Sequence, residues 1–361
     1  MFREHPPQGN KSESLRLQVA PIFSIFIDAY HGATFFQQSA RSVLDQSYTN
    51  FELIIVNNGA LYEVSQEIDK IAKADERVRV INFKINQFTW DDPHIVVDKC
   101  WNAALRAARG EYIFHLSYDD FLSPNFLERM IALFDENPRC TSASGMMEGV
   151  DIHGNVIAPV KDEKPMRPKF MAGHKLALDT LKGGGMLVAA GDIFVVRTKD
   201  LINGGGYHRA IEDSILFGII PFGETGFDST AKLYWRRHEE QLNKQLNAAG
   251  WLGYIDYTKS LIKEWCIEEK WQQFGGDLAK HVAYQLLKKE WHTAGAQAAA
   301  NLSEINVLGF YRMAYVAGLN RFFWRTFLQQ LWLKRRQLAS CVLKKLGLHE
   351  FFIRLLKSKN S

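Results

Sequence analysis

At 361 residues, 47% hydrophobic and 23% charged, the chain has the make-up of a globular protein with room for a sizeable core and two structural units. Its four cysteines (Cys100, Cys140, Cys266, Cys341) lie far apart with no C-x-x-C pair, which argues against a disulfide framework or a thiolate metal site. The polar start, Met1 to Leu17, does not read as a signal peptide, and no stretch approaches the roughly 18–20 apolar residues that span a bilayer.

The net charge of +4 hides an asymmetry. From Arg321 onward ten Lys or Arg face one acid, Glu350, giving +9, while the rest carries 34 basic and 39 acidic residues, or −5. A basic tail on a mildly acidic body points to an anionic surface that the tail alone touches.

In chain order, a polar tail over residues 1–18 gives way to Pro21–Ile27 (P-I-F-S-I-F-I), an apolar run that reads as a strand buried on both faces. Phe35–Leu44 reads as a helix. Phe51–Val56 reads as a second strand, stopped by the turn signal Asn57-Asn58-Gly59. Tyr62–Ala74 is a predicted helix, Val78–Phe83 a third strand, and Val97–Arg109 an amphipathic helix closed by Gly110. A fourth strand, Tyr112–Leu116, runs into Ser117-Tyr118-Asp119-Asp120, and Ser123 is placed to cap a helix from Pro124.

Strands alternating with helices imply parallel βαβ units in an α/β, doubly wound, mostly parallel sheet of Rossmann-like type. Ligands bind such sheets beyond the carboxyl ends of the strands. That rule selects Asp28–His31 (with Ala29 and Tyr30 between), Asn57–Gly59 and Ser117–Asp120, all rich in polar side chains, as a nucleotide-type site.

Asp151–Lys175, with Gly154, Pro159, Pro165 and Pro168, reads as a long irregular loop over that site. Gly183-Gly184-Gly185 and Gly204-Gly205-Gly206 flank a predicted strand, Met186–Arg197. Near Gln245 the character changes to helices rich in Leu, Trp, Phe and Lys, so the division is residues 19–245 for an α/β domain and 246–361 for a helical region.

The ordered motifs resemble glycosyltransferase family 2, of the GT-A fold. S-V-L-D-Q-S-Y-T-N-F-E-L-I-I-V-N-N-G (Ser42–Gly59) and N-A-A-L-R-A-A-R-G-E-Y-I (Asn102–Ile113) are similar to two of its signatures. L-S-Y-D-D (Leu116–Asp120) stands where that family has L-D-S-D-D. G-G-Y (Gly205–Tyr207), E-D (Glu212-Asp213) and Y-W-R-R-H-E-E-Q (Tyr234–Gln241) follow in order.

The resemblance implies an inverting hexosyl transfer from a nucleotide-sugar donor to an acceptor hydroxyl. Asp213 of the E-D pair would be the general base, with Glu212 beside it; a solvated acidic pair at a helix start is the competing reading. Asp119 and His238 would be the ligands of a divalent metal, Mn or Mg. Ser117 replaces the first Asp of that motif, a poor substitute on a hard ion. Arg236 and Arg237 are the alternative source of charge for the diphosphate. Ala29, Tyr30, Asn57, Asn58, Trp101, Ser117 and Tyr118 would contact the donor. A UDP-sugar is favoured, although Asn57 stands where the family often has an Asp reading uracil N3–H. Trp101, where many relatives have Arg, would stack on a base or sugar or fill the core. Asp28, His31, Asp92 and Lys99 are further polar candidates left unranked.

The tail over residues 321–361 interleaves Phe322, Phe323, Trp324, Phe327, Leu331 and Trp332 with Arg321, Arg325, Lys334, Arg335 and Arg336. That pattern suits an interfacial helix on anionic lipid, and competes with a helical subdomain packed on the catalytic one. The expectation is a cytoplasmic enzyme, peripheral at the inner face of the cell membrane, with a glycan or lipid-linked glycan acceptor in surface-polysaccharide assembly. Nucleic acid is not an expected partner, because no recognition motif accompanies the charge. A catalytically silent, nucleotide-sugar-binding scaffold of a transferase complex is the alternative.

Overall fold

The computed structural model describes residues 22–158, 168–182, 194–239, 241, 248–300, 314–330 and 332. Strand β1 (Phe23–Ala29) buries every residue except the half-buried Asp28, and β2 (Phe51–Asn58) every residue except Asn57. Continuous apolar runs of this kind belong at the centre of a sheet covered on both faces, with polar residues kept for the carboxyl ends. β1 pairs in parallel with β2 and with β4 (Tyr112–His115), and β2 pairs in parallel with β3 (Val78–Phe83). β1 leads to β2 and β3 on one side and β4 lies on the other, so the strand order reverses between β1 and β4, where such sheets open a crevice.

The sheet continues through β9 (Phe194–Arg197), antiparallel between β4 and β6 (Cys140–Val150), to β10 (Glu224–Arg236), which is parallel to β6. Short strands β5 (Phe121–Leu122) and β8 (Phe170–Ala172) pair with β10, and β7 (Val156–Ala158) with β6. Helices α1 (Ala33–Leu44), α2 (Tyr62–Ala74), α3 (Asn102–Ala107) and α4 (Phe126–Glu136) cover the parallel part. Then come α5 (Gly173–Leu181), α6 (Thr198–Gly204) and α7 (Ile211–Gly218). The C-terminal helices are α8 (Ala248–Glu264), α9 (Ile267–Trp271) and α10 (Gly276–Ala300).

The expected helix Val97–Arg109 is two pieces: a π-helical turn over Val97–Trp101, then α3. An outside tether accompanies the irregularity, because Arg209 bridges Asp98 in the first turn to Asp92 in the preceding loop. Ser123 does not cap α4. Its hydroxyl donates to Asn125 Oδ1 at 2.9 Å and accepts the Lys232 N–H. The segment read as an irregular loop, Asp151–Lys175, contains β7, β8 and the start of α5, with residues 159–167 outside the described residues. Of the predicted strand Met186–Arg197 only β9 lies within them, and Gly183-Gly184-Gly185 lies outside.

The core of the sheet runs without interruption into the C-terminal helices: Leu261, Trp265, Ile267, Trp271, Val282 and Leu286 are buried in the same cluster as β1 and β2. Trp271 is fully buried, and its indole N–H donates to Phe217 O of α7 at 2.9 Å. A second, smaller cluster joins Ile255 of α8 to Phe323 and Phe327 of the helix over residues 321–330.

Candidate functional site

A cleft of about 730 Å³ opens at the carboxyl ends of the parallel strands. Asp28, Tyr30 and His31 from the end of β1, Asn58 from β2, and His115 and Ser117 to Asp120 from the end of β4 form its floor. The loop after β3 contributes Asn86 and Phe88 to Trp90, β10 contributes Leu233 and Trp235, and Tyr254 of α8 closes the far side.

Two turns shape the floor. Gly59 holds φ +60°, and a Cβ there would meet Asn86 N and Ile85 C at 2.4 Å, so the turn after β2 is pressed against the loop after β3. Asn58 fastens the same contact: its amide donates to Asn86 Oδ1 at 3.0 Å and accepts the Gln87 N–H at 2.8 Å.

Asp119 sits in the turn between β4 and β5, and His238 just past β10. Their side chains meet at 2.8 Å, Oδ2 to Nε2, with both residues largely buried. Behind them Arg236, 1% exposed, works as a buried brace. Its Nε donates to Asp119 O at 2.8 Å, Nη1 to Ile152 O at 2.8 Å, and Nη2 to Gln38 Oε1 at 2.5 Å. Its backbone N–H donates to Asp120 Oδ1 at 2.8 Å, and the guanidinium lies over Phe35 at 4.6 Å. Burial pulls the Arg236 guanidinium below its usual value, opposed by Asp120, Asp119 and Asp151.

Of the residues named from the sequence, Tyr30, Asn58, Trp101, Ser117, Tyr118 and Asp119 line the cleft together. Trp101 is 6% exposed and donates its indole N–H to Asp28 Oδ1 at 3.0 Å. Ala29 is buried beneath the floor. Asn57 is turned to its own loop: its Oδ1 accepts the Ala60 N–H at 2.8 Å and its amide donates to Asn82 Oδ1 at 3.0 Å. The donors of Arg236 are spent on protein acceptors, while Arg237 is exposed with its guanidinium 4.5 Å over the ring of Trp235, a cleft residue.

Asp213 is 4% exposed and is not among the cleft-lining residues, although Ile211 of the same helix is. Its Oδ1 lies 2.7 Å from Lys289 Nζ on α10, and Lys289 also lies 3.4 Å from Glu290 Oε1. Burial pushes the Glu290 carboxyl up to about 7; Lys289 pulls it down and Asp213 adds to the rise. The side chain of Glu212 lies outside the described residues.

Several cleft residues were not named from the sequence. His115 carried the one available signal, an imidazole in the apolar run Y-I-F-H-L at a strand's carboxyl end. His94 and Tyr254 enter through tertiary contacts with no local pattern, and Trp235 is the second residue of the Tyr234–Gln241 motif, where no role was assigned to it. His94 is held by Tyr254 and by Arg209 O, and burial pushes its imidazole down to about 4.

Asp119 and His238 offer one carboxylate and one imidazole, and no group of three or more His, Cys, Asp or Glu able to hold a metal occurs among the described residues. As they stand, the two side chains bond to each other through Oδ2 and Nε2, so a cation reaching either of those atoms would have to break that hydrogen bond.

Residues 24–200 match the family model described as glycosyl transferase family 2. The matched segment, just under half of the chain, is a glycosyl transferase family 2 domain. Proteins similar to the chain include an uncharacterized glycosyltransferase of Haemophilus influenzae, 24% identical over 132 residues, covering 37% of this chain and 38% of that protein. The hyaluronan synthase of Pasteurella multocida is 27% identical over 146 residues, 40% of this chain and 14% of that protein. The chain thus spans well under two thirds of the curated relatives it matches. In fold it is similar to S. aureus TarS 1-349 in complex with UDP, with a TM-score of 0.56, 13% identity, and coverage of 91% of this chain and 88% of that one. The fold is accordingly of the GT-A type, a mostly parallel curled sheet with a helical C-terminal region.

Proposed function

We propose that the chain transfers a sugar, with inversion, from a nucleotide-sugar donor bound in this cleft to a glycan hydroxyl. The carrying observation is the Asp119–His238 pair, 2.8 Å apart at the carboxyl end of β4 beside Ser117 and Tyr118. Departure of a nucleoside diphosphate leaves negative charge that must be met where it develops. A divalent ion held by Asp119 and His238 would supply that charge, with Arg237 at the rim and Arg236 fixing the Asp119 backbone behind. The family match over residues 24–200 and the likeness to TarS, whose structures contain UDP and UDP-GlcNAc, support a nucleotide-sugar donor, with UDP-sugars favoured. The hyaluronan and chondroitin synthases among the relatives support a polysaccharide or lipid-linked glycan as acceptor.

Asp213 is the proposed general base. Its carboxylate is ion-paired with Lys289, so an acceptor hydroxyl must displace that ammonium to reach it. The same observation favours one other reading, a nucleotide-sugar-binding scaffold without turnover, because the pair lies outside the cleft lining. A panel of nucleotide sugars, assayed for binding by thermal shift and for nucleotide release with and without Mn²⁺, separates the two. Binding with release supports transfer, binding without release on any acceptor supports the scaffold, and no binding by any donor refutes both.

Membrane association at the cytoplasmic face is part of the proposal. Leu328 and Trp332 are 60% and 62% exposed near Arg321 and Arg325, while Phe323 and Phe327 of the same helix pack inward. The remainder of the basic tail, residues 333–361, lies outside the described residues, and no helix among them is long and apolar enough to cross a membrane.

A further inference from the structure

Asp28 ends β1 and His115 ends β4, so the two flank the crevice where the strand order reverses. His115 Nε2 lies 3.0 Å from Asp28 Oδ1, and Trp101 Nε1 donates to the same oxygen at 3.0 Å. The two rings that hold the carboxylate are themselves fixed. Trp101 and His115 lie with centroids 3.7 Å apart at 31°, and Phe26 abuts His115 at 4.8 Å. A carboxylate pinned through one oxygen by two packed rings cannot turn away from the cleft. Among the described residues none donates to its second oxygen, Oδ2, yet Asp28 lines the cleft with 21% of its side chain exposed.

An ionised carboxylate is an acceptor only, so this position demands an N–H or O–H from whatever lies in the crevice. Its neighbours in the lining, Tyr30, Trp101 and Tyr118, are aromatic and suit a planar ring. Asn57, at the end of the neighbouring strand, has its amide committed to Asn82 and Ala60. Placing a phosphate against Asp28 would set like charges together, which leaves the nucleoside as the part of a nucleotide that fits there.

We propose that Asp28 reads the donor's nucleobase, accepting a ring N–H and so selecting bases that carry one over bases that present a bare ring nitrogen. Uracil, thymine (N3–H) and guanine (N1–H) satisfy it. Cytosine N3 and adenine N1 are acceptors and, in the same ring position, meet the carboxylate lone pair to lone pair; only a shifted ring would offer their amino N–H instead. The proposal rests on the reading of the cleft as a nucleotide-sugar site and names the group that sets its base preference. A site built around one hydrogen bond rejects a partner lacking it far better than an apolar pocket rejects a change of size.

The test is calorimetric titration of the full chain with UDP, GDP, CDP and ADP, repeated on Asp28→Asn. Wild type should bind UDP or GDP at least tenfold more tightly than CDP. Asp28→Asn, whose amide also donates, should shrink that ratio at least tenfold with its melting temperature kept. A second arm needs no substitution: 3-methyl-UDP, which lacks the N3–H, should bind wild type at least tenfold more weakly than UDP. An unchanged ratio in Asp28→Asn, equal loss of all four nucleotides, or equal affinity for UDP and 3-methyl-UDP would each overturn the assignment. Should wild type bind none of the four, the underlying nucleotide reading fails with it, and the wild-type arm alone shows this.

Discussion

Asp119 and His238, 119 residues apart, hydrogen-bond at 2.8 Å and tie the end of the parallel half-sheet to the end of β10. The contact joins the first recognisable acidic motif to the last motif of the domain, and Arg236 fixes Asp119 and Asp120 from behind. Asp119→Asn and His238→Ala should each lower nucleotide-sugar turnover about 10²–10³-fold, the size of losing one charge-stabilising group. Initial rates at saturating donor, with circular dichroism as the check on folding, measure this; rates within threefold of wild type would contradict it.

Arg236 should behave as a structural residue. Its side-chain donors serve backbone and amide acceptors in a fully buried position, so Arg236→Met leaves those acceptors unpaired beside Asp119 and Asp120. The expected loss is about 3–5 kcal/mol, read by urea unfolding. Arg237→Met, at an exposed position, should stay within about 0.5 kcal/mol and raise the donor KM instead.

Gly59→Ala tests the floor of the cleft. The new Cβ would fall 2.4 Å from backbone atoms of Ile85 and Asn86 at a φ of +60°, so the loop carrying Phe88 and Trp90 must shift. Stability should drop by more than about 1 kcal/mol, and nucleotide affinity should fall with it. A variant with wild-type melting temperature and affinity would show that the two loops do not need this contact.

Glu290 gives a pH signature. Its carboxyl is raised from 4.5 to about 7 in the folded chain, first by burial, so folding takes up a proton there. A raised pKa contributes stability that is present in full below about 4.5 and lost as pH rises through 7. The stability of Glu290→Gln, which stays neutral, should therefore rise relative to wild type between about pH 4.5 and 7 and level off above, as read from melting temperatures. A difference that stays flat across that window would mean the carboxyl is not raised.

The parallel half of the fold was legible because β1, β2 and β4 are buried on both faces, and such strands write themselves as unbroken apolar runs ending in polar residues. The other half was not. β6 reads C-T-S-A-S-G-M-M-E-G-V, with small residues where glycines and serines pack close to β10. β10 carries register shifts at Glu224/Thr225 and Asp228/Lys232 that break its alternation.

The site divides the same way. Tyr30, Ser117, Tyr118 and Asp119 follow from the rule about strand ends, and all four line the cleft. The grip of Trp101 and His115 on Asp28, the turning of Asn57 to its own loop, and the burial of Arg236 depend on how strands are registered across the sheet, which no local pattern encodes. The facing of Asp213 onto Lys289 depends on where α10 docks, more than seventy residues further along.

The most direct test of the account is nucleotide release from UDP-sugars by the full chain, with and without Mn²⁺, in wild type beside Asp119→Asn and Asp213→Asn. Release should be metal-stimulated and acceptor-dependent, lost in Asp213→Asn, and without a metal response in Asp119→Asn. Release that persists undiminished in both variants would place the chemistry elsewhere and contradict it.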